Sequence, residues 1–229
     1  MQPSLTRALL VLAFLAMGTP LLNPAPAHSA SITTLFASDD FGAPGGAVYF
    51  DLTTFANPIR VTGFATNTTN SGSNFGFEVF TTPGTAFGNE TNPGVWTSVA
   101  TGVGTGMGDD NPSPVALNNT FLLGANTSFG IALILDGPEG QADHEYTNGD
   151  GTNQNFANSD LSLALGSATN VPFTSNVLSP RVWNGTIHYE VASNTNPIPE
   201  PSTMLLFGTG VVGLMGYAWR RKRVEAEKA

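Results

Sequence analysis

Apolar residues alternate in size along Phe129-Gly130-Ile131-Ala132-Leu133-Ile134-Leu135. The odd positions hold large side chains and the even positions hold mostly small ones. In an extended strand, successive side chains point to opposite faces, so the large ones would form one continuous apolar face. Seven apolar residues are also too few for a typical helix. The run therefore predicts a β-strand that is buried in the centre of a sheet.

The same two-residue period recurs on both sides of this run, in residues 48–52, 59–62, 75–79, 95–99 and 182–191. Segments rich in Gly, Pro and Asn separate the runs, and these residues supply the backbone angles of tight turns. No segment of this region predicts a long helix. We predict an all-β domain over residues 28–195, an antiparallel β-sandwich of jelly-roll-like type with roughly eight to ten strands.

The charge of the chain excludes some classes of function. Between residues 31 and 196, two basic residues stand against fourteen acidic ones, a formal charge of −12. Such a surface repels phosphate backbones, so we predict no nucleic-acid partner. The 229 residues include no cysteine, which excludes disulfides, thiolate metal sites and cysteine nucleophiles.

The N-terminus has the features of a secretory signal peptide over residues 1–27. Arg7 precedes the apolar run 8–17, and Ala25 and Ala27 supply small residues at the −3 and −1 positions of a cleavage site. Cleavage after Ala30 and an uncleaved anchor helix are the alternatives. We expect the domain that follows to be exported.

Three features follow one another at the C-terminus: the motif Pro199-Glu200-Pro201, the uncharged apolar segment 204–219, and a basic cluster. The basic cluster consists of Arg220, Arg221, Lys222 and Arg223. Basic residues at the end of a membrane span favour the cytoplasmic side. We therefore predict a transmembrane helix at about 203–219, a cytoplasmic tail at 224–229, and an N-terminus outside the cytoplasm.

This order of motif, glycine-rich apolar segment and basic cluster resembles the PEP-CTERM sorting domain, over residues 196–223. The resemblance implies recognition by an exosortase, a membrane transpeptidase that processes its substrates near Pro-Glu-Pro. It also implies a Gram-negative cell envelope and an association with exopolysaccharide and biofilm matrix. The prolines that flank Glu200 would keep the motif extended and accessible. A permanent C-terminal anchor is the alternative to a cleaved tail.

The residues that could carry catalysis are few. The histidines are His28, His144 and His188, and no serine lies in a Gly-x-Ser-x-Gly elbow. His188 falls within a predicted strand, on the face expected to be solvated. We therefore predict that the protein is not an enzyme, with a secreted polysaccharide hydrolase as the third-ranked alternative.

Two ligand classes remain. Asp136, Glu139, Asp143 and Glu145 place oxygen donors in a turn-rich segment, and Asp109-Asp110-Asn111 is a second acidic cluster. Oxygen donors suit Ca²⁺, so a structural calcium ion is the one cofactor that the sequence suggests.

Trp96 and Trp183 could form platforms for sugar rings, or could pack within the sheet. We predict a non-enzymatic cell-surface or biofilm-matrix protein, and a carbohydrate-binding module retained in exopolysaccharide is the alternative.

Overall fold

The computed structural model describes residues 28–136, 142–174, 176–192, 209–217 and 219–220. The chain divides into two compact units, Met1–Ser193 and Asn194–Ala229. The described part of the first unit contains thirteen strands and one short 3₁₀ helix, Pro93–Val95. The strands are β1 (Ser29–Thr33), β2 (Asp40–Phe41), β3 (Ala47–Thr54), β4 (Ile59–Thr66), β5 (Ser71–Pro83), β6 (Thr97–Met107), β7 (Ser113–Leu123), β8 (Ser128–Asp136), β9 (Glu145–Asn148), β10 (Asn155–Ala157), β11 (Leu161–Thr169), β12 (Arg181–Trp183) and β13 (Gly185–Val191).

Ten of these strands form one antiparallel sheet in the order β1-β13-β4-β7-β6-β5-β8-β3-β11-β10. The sheet curves until its two edge strands approach, and the Asn158 side chain spans the gap. Its Nδ2 donates to the Ser31 carbonyl in β1 at 3.3 Å and to the Tyr189 hydroxyl on β13 at 2.7 Å. A separate three-stranded sheet has the order β12-β9-β2.

The predicted all-β antiparallel class is therefore confirmed, but the sheets are arranged differently from a sandwich. In place of two sheets of similar size, one continuous sheet wraps around the main core. The physical reason is strand pairing. β4 pairs with β7, β7 with β6 and β6 with β5, so backbone hydrogen bonds connect β4 to β5 without a break into two sheets.

The predicted strand 129–135 is β8, and both of its faces are buried. Ile131, Leu133 and Leu135 enter the main core, whose aromatic centre includes Phe50 and Trp183. Ala132 lies on the opposite face, in a second apolar cluster. That cluster also contains Tyr49, Ala86 and Trp96, and it covers this part of the outer face of the sheet. The apolar run thus reflects a central strand between two apolar layers.

Alternate glycines on β6 make room for a neighbouring ring. Gly102, Gly104 and Gly106 are buried, while the residues between them are exposed. A Cβ at Gly104 would overlap the Phe75 ring. Residues 101–107 therefore belong to a strand that has one face of glycines.

In the second unit, residues 209–217 and 219–220 are helical. Among the described residues, no helix combines the length and the apolar character that crossing a membrane requires. The predicted span, about 203–219, lies partly outside the described residues.

Candidate functional site

Four acidic residues, in two pairs from separate segments, lie near one end of the small sheet, where three of them act electrostatically on the fourth, Glu145. Asp109 and Asp110 lie in the turn after β6, Asp143 lies in the loop just before β9, and Glu145 is the first residue of β9. Ser38, which precedes β2, contacts three of them, Asp109, Asp110 and Glu145. Its hydroxyl lies 2.6 Å from Asp109 Oδ1 and 3.0 Å from Asp110 Oδ1, and its backbone N–H donates to Asp110 Oδ1 at 2.7 Å. We call these four carboxylates the acidic cluster.

Asn67, fully buried in the loop after β4, fixes the turn that carries Asp110. The Asp110 N–H donates to Asn67 Oδ1 at 2.8 Å, and Asn67 Nδ2 donates to Asp110 Oδ1 at 3.0 Å. This pair of bonds holds Asp110 in a left-handed conformation with φ of 56°, which Asp tolerates better than most residues. The Asn67 carbonyl also accepts from the Glu145 N–H at 3.1 Å, so one residue fixes two parts of the cluster.

Hydroxyl groups hold Asp143. Its Oδ1 accepts from the Thr69 hydroxyl at 2.8 Å, and from the Thr68 hydroxyl and the Thr69 N–H, both at 3.2 Å. Asp110 and Asp143 are thus each fixed by hydrogen-bond donors that carry no charge. The negative charges of the cluster are solvated by dipoles and are not neutralised by them.

Glu145 is the least satisfied member of the cluster. The residue is only 5% exposed, and its Oε1 has no hydrogen-bond partner. Burial, and after it the charges of Asp143, Asp109 and Asp110, raise the pKa of its carboxyl to about 7, against a hydrogen bond from Ser38 that lowers the pKa. Every charge that acts on Glu145 here is negative.

The structure brings together only part of the predicted metal set. Asp143 and Glu145 lie together, and the second acidic cluster of the sequence, Asp109 and Asp110, joins them. Asp136 ends β8 opposite Gly76 and is not among the charges that act on Glu145. Glu139 lies outside the described residues. Within the described part, no three His, Asp or Glu side chains are gathered closely enough to hold a metal ion.

Both tryptophans that the sequence suggests for sugar binding are buried. Trp183 is 1% exposed. It stacks on Phe50 with ring centroids 5.3 Å apart, and its indole N–H donates to Thr66 Oγ1 at 3.1 Å. Trp96 is 8% exposed and packs against Tyr49 and Phe173, with its N–H bonded to the Asn89 carbonyl at 2.9 Å. Their faces are engaged in packing, so the sugar-contact prediction gains no support.

Two other side chains that could take part in catalysis, His144 and Glu90, are held by hydrogen bonds. His144 is buried, its Nε2 lies 3.1 Å from the Leu133 carbonyl, and burial lowers its pKa to about 4. It is therefore neutral at physiological pH. His188 faces solvent, as predicted. The buried Glu90 accepts from the Gly88 N–H at 2.7 Å and from the Ser167 hydroxyl at 2.9 Å.

The predicted sorting residues Pro199, Glu200 and Pro201 lie outside the described residues, as do Ala25, Ala27 and the basic cluster apart from Arg220. Their assignment comes from comparison with known families. Residues 197–223 match the family described as "PEP-CTERM protein-sorting motif". This match confirms the resemblance that the sequence shows.

Other comparisons add little. No curated protein matches the chain. Among solved structures, one match is a chain titled "Structure of infectious bursal disease virus Gt strain", at 14% identity and a TM-score of 0.26. It covers 86% of this chain but only 51% of the viral chain, so this chain spans about half the length of its match. A likeness this weak carries no argument.

Proposed function

Because the chain carries a PEP-CTERM protein-sorting motif, and is thus an exported, envelope-associated protein sorted by exosortase, we propose that its β-domain serves a non-enzymatic role at the cell surface or in the biofilm matrix. The observation that carries this proposal is the family match at residues 197–223. The motif determines where the domain is delivered, and the domain supplies a compact, acidic surface there.

The site geometry supports a structural role for the domain. Asp143 bonds one loop to another, and Glu90 and the neutral His144 fasten loops to the large sheet. A general acid or base must instead reach a substrate proton. The two buried tryptophans likewise contribute to the core and not to a binding face.

The order of residues in the C-terminal segment and its basic charge determine its orientation in the membrane. We infer that segment 203–219 inserts in the inner membrane with Arg220, Arg221, Lys222 and Arg223 in the cytoplasm, because basic residues flanking a span favour that side. Pro199-Glu200-Pro201 then lies just outside the membrane on the exported side, where exosortase can act on it. The processed domain is released toward the surface and its exopolysaccharide.

Mass spectrometry of the mature protein from native cells tests the sorting step. We expect an N-terminus after Ala27, a C-terminus near Pro199 to Pro201, and loss of residues 204–219. Glu200→Ala should accumulate the unprocessed chain in the membrane fraction, whereas the linker variant Asn194→Ala should be processed normally. Wild-type protein that ends at Ala229 would show a permanent anchor and overturn the cleavage proposal.

Two further measurements test the role of the domain. Incubation with the host's exopolysaccharide should release no new reducing ends, and measurable turnover would overturn the non-enzymatic role. In cells that make no exopolysaccharide, we expect the processed domain in the medium rather than in the matrix. Equal distribution in both strains would argue against matrix retention.

A further inference from the structure

The chain enters and leaves the β-domain at the same end of the large sheet. β1 begins where β13 finishes, because Ser29 pairs with Glu190 and the Val191 N–H donates to the His28 carbonyl at 3.2 Å. Neighbouring strands of this sheet are antiparallel, so the connections between them alternate between its two ends. His28 and Val191 therefore mark one end of the sheet, and we call it the terminal end.

Hydrogen bonds join the connections at the terminal end to one another and to the exit of the chain. These connections are residues 55–58, 84–96, 124–127 and 158–160. The Asn126 N–H donates to the Phe55 carbonyl, and the Phe55 N–H donates to the Asp160 carbonyl, both at 2.8 Å. The Ala192 N–H donates to the Pro58 carbonyl at 2.9 Å. The chain thus leaves the domain beside a fixed group of loops.

Charge is divided unequally between the two ends. The connections at the terminal end contain two acids: Glu90, which is buried, and Asp160, whose Oδ2 accepts from the Tyr189 hydroxyl at 2.9 Å. The small sheet lies at the opposite end, where Asn67 follows β4 and accepts from β9. In the described residues, the small sheet and the connections at that end carry one base, Arg181, and seven acids: Asp39, Asp40, Asp109, Asp110, Asp143, Glu145 and Asp150. We call this end the acidic end.

The length of the remaining chain limits how far the domain can lie from the bilayer. Ten residues, 193–202, separate Ala192 from the predicted span at about 203–219, and ten residues reach at most about 33–36 Å when fully extended. A strand of eight residues such as β4 is itself about 26 Å long. The domain is therefore held within about one and a half times its own strand length of the lipid.

At this range, electrostatics distinguishes the two ends of the domain. Anionic lipids create a negative surface potential, which acts over about one Debye length, about 8 Å at physiological salt. An acidic end turned toward the lipid would be repelled, whereas the terminal end carries few charges for the lipid to repel. With the terminal end toward the bilayer, the length of the strands keeps the seven acids outside this range.

We propose that the terminal end of the domain faces the lipid surface while the tail is inserted, and that the acidic end is held outward. This orientation rests on the proposed function, because it requires segment 203–219 to be in the bilayer. The exosortase would then act beside an end of the domain that bears little charge, and the surrounding medium would meet the acidic end.

Energy transfer between single labels on the domain and a bilayer tests this orientation. The chain has no cysteine, so Asn57→Cys at the terminal end and Asn111→Cys at the acidic end each give one labelling site. The two positions are matched, because each is an exposed asparagine that precedes a proline between two strands. The full chain, labelled with a donor dye, is inserted into vesicles of phosphatidylglycerol and phosphatidylethanolamine that contain a rhodamine lipid. We expect transfer from position 57 to be about twofold stronger or more, because the two positions differ in height by about one strand length, about 26 Å.

Two controls accompany the measurement. In vesicles of uncharged phosphatidylcholine, the difference between the two positions should shrink, because the lipid no longer repels the acidic end; an undiminished difference would overturn the contribution of charge. Thermal unfolding of the labelled chains should match the wild type, since substitutions at exposed positions usually change stability little. Ala56→Cys and Pro112→Cys, at the neighbouring exposed positions, replace the pair if either variant fails to fold.

The possible failures point to different proposals. Equal transfer from the two positions, or stronger transfer from position 111, overturns the orientation and leaves membrane insertion of the tail intact. Absence of transfer from both positions shows that the tail is not inserted, which overturns the proposed insertion and this inference with it.

Discussion

Replacing Trp183 by alanine should remove the aromatic centre of the main core. The indole is almost fully buried, stacks on Phe50 and meets Phe64 edge-on at 6.3 Å. Gly185 is required beside it, since a Cβ there would overlap the indole ring. The cavity left by the ring is thus bounded by strand backbone and cannot collapse easily.

The expected loss follows from these contacts. Truncation of a buried Trp costs about 3–5 kcal/mol, and the upper part of that range applies where the site cannot close. The Thr66 hydroxyl also loses its donor, at about 1 kcal/mol. We therefore expect Trp183→Ala to lower the free energy of unfolding by about 5 kcal/mol. Trp183→Phe keeps most of the stacking and should cost about 1–2 kcal/mol.

Urea unfolding followed by far-ultraviolet circular dichroism measures this loss. A double-mutant cycle with Thr66→Val isolates the hydrogen bond, for which we expect a coupling of about 1 kcal/mol. A loss below about 1 kcal/mol for Trp183→Ala would refute a core position for the ring. Any glycan-binding assay on this variant also needs a fold control, because unfolding alone would abolish binding.

Three further changes have definite outcomes. Gly104→Ala forces a methyl group into the Phe75 ring and should cost about 2–3 kcal/mol, whereas Val103→Ala on the exposed face should cost under about 0.5 kcal/mol; thermal unfolding compares the two. Asn158→Ala removes the bonds across the sheet edges and should cost about 1–2 kcal/mol, with faster amide exchange in β1 and β10, and unchanged exchange would contradict the role. The pKa of Glu145 rises from 4.5 to about 7 on folding, so its contribution is full below about pH 4.5 and is lost as pH rises through about 7. Unfolding temperatures should fall across that range by an amount equivalent to about 1–2 kcal/mol after solvent screening, and Glu145→Gln should flatten the curve.

Local patterns predicted several strands well. The alternation at 129–135 predicted β8, and the run at 75–79 falls within β5. The pattern at 182–191 is two strands: Asn184 separates β12 from β13, which belong to different sheets. Alternation reports which residues face a core, but it does not report where a strand changes its partner.

Two long strands lacked a prediction. β11 does alternate, with Leu161, Leu163 and Leu165 buried, so its signal was present in the sequence. β7 contains Asn118 and Asn119 at its exposed middle, which weakens the apolar pattern. Since these strands lie beside β3 and β4, their pairing extends the large sheet and replaces the expected sandwich.

The acidic cluster was only partly predictable. Asp143 and Glu145 are near neighbours in sequence, but Asp109 and Asp110 reach them only through the fold. Ser38 and Asn67 carry no pattern that marks them, because a single serine or asparagine is common in loops. Contacts across tens of residues depend on topology, which local periodicity does not encode.

The position of β13 bears on how the chain crosses the membrane. It pairs on one side with β1, the first strand, and on the other with β4. A secreted chain emerges amino end first, so Ser29 is outside long before Val191. β1, an edge strand that pairs in the large sheet with β13 alone, therefore has no partner there until residues 185–191 are also exported. The strand that completes this pairing thus lies immediately before the sorting motif at residues 197–223 in the chain.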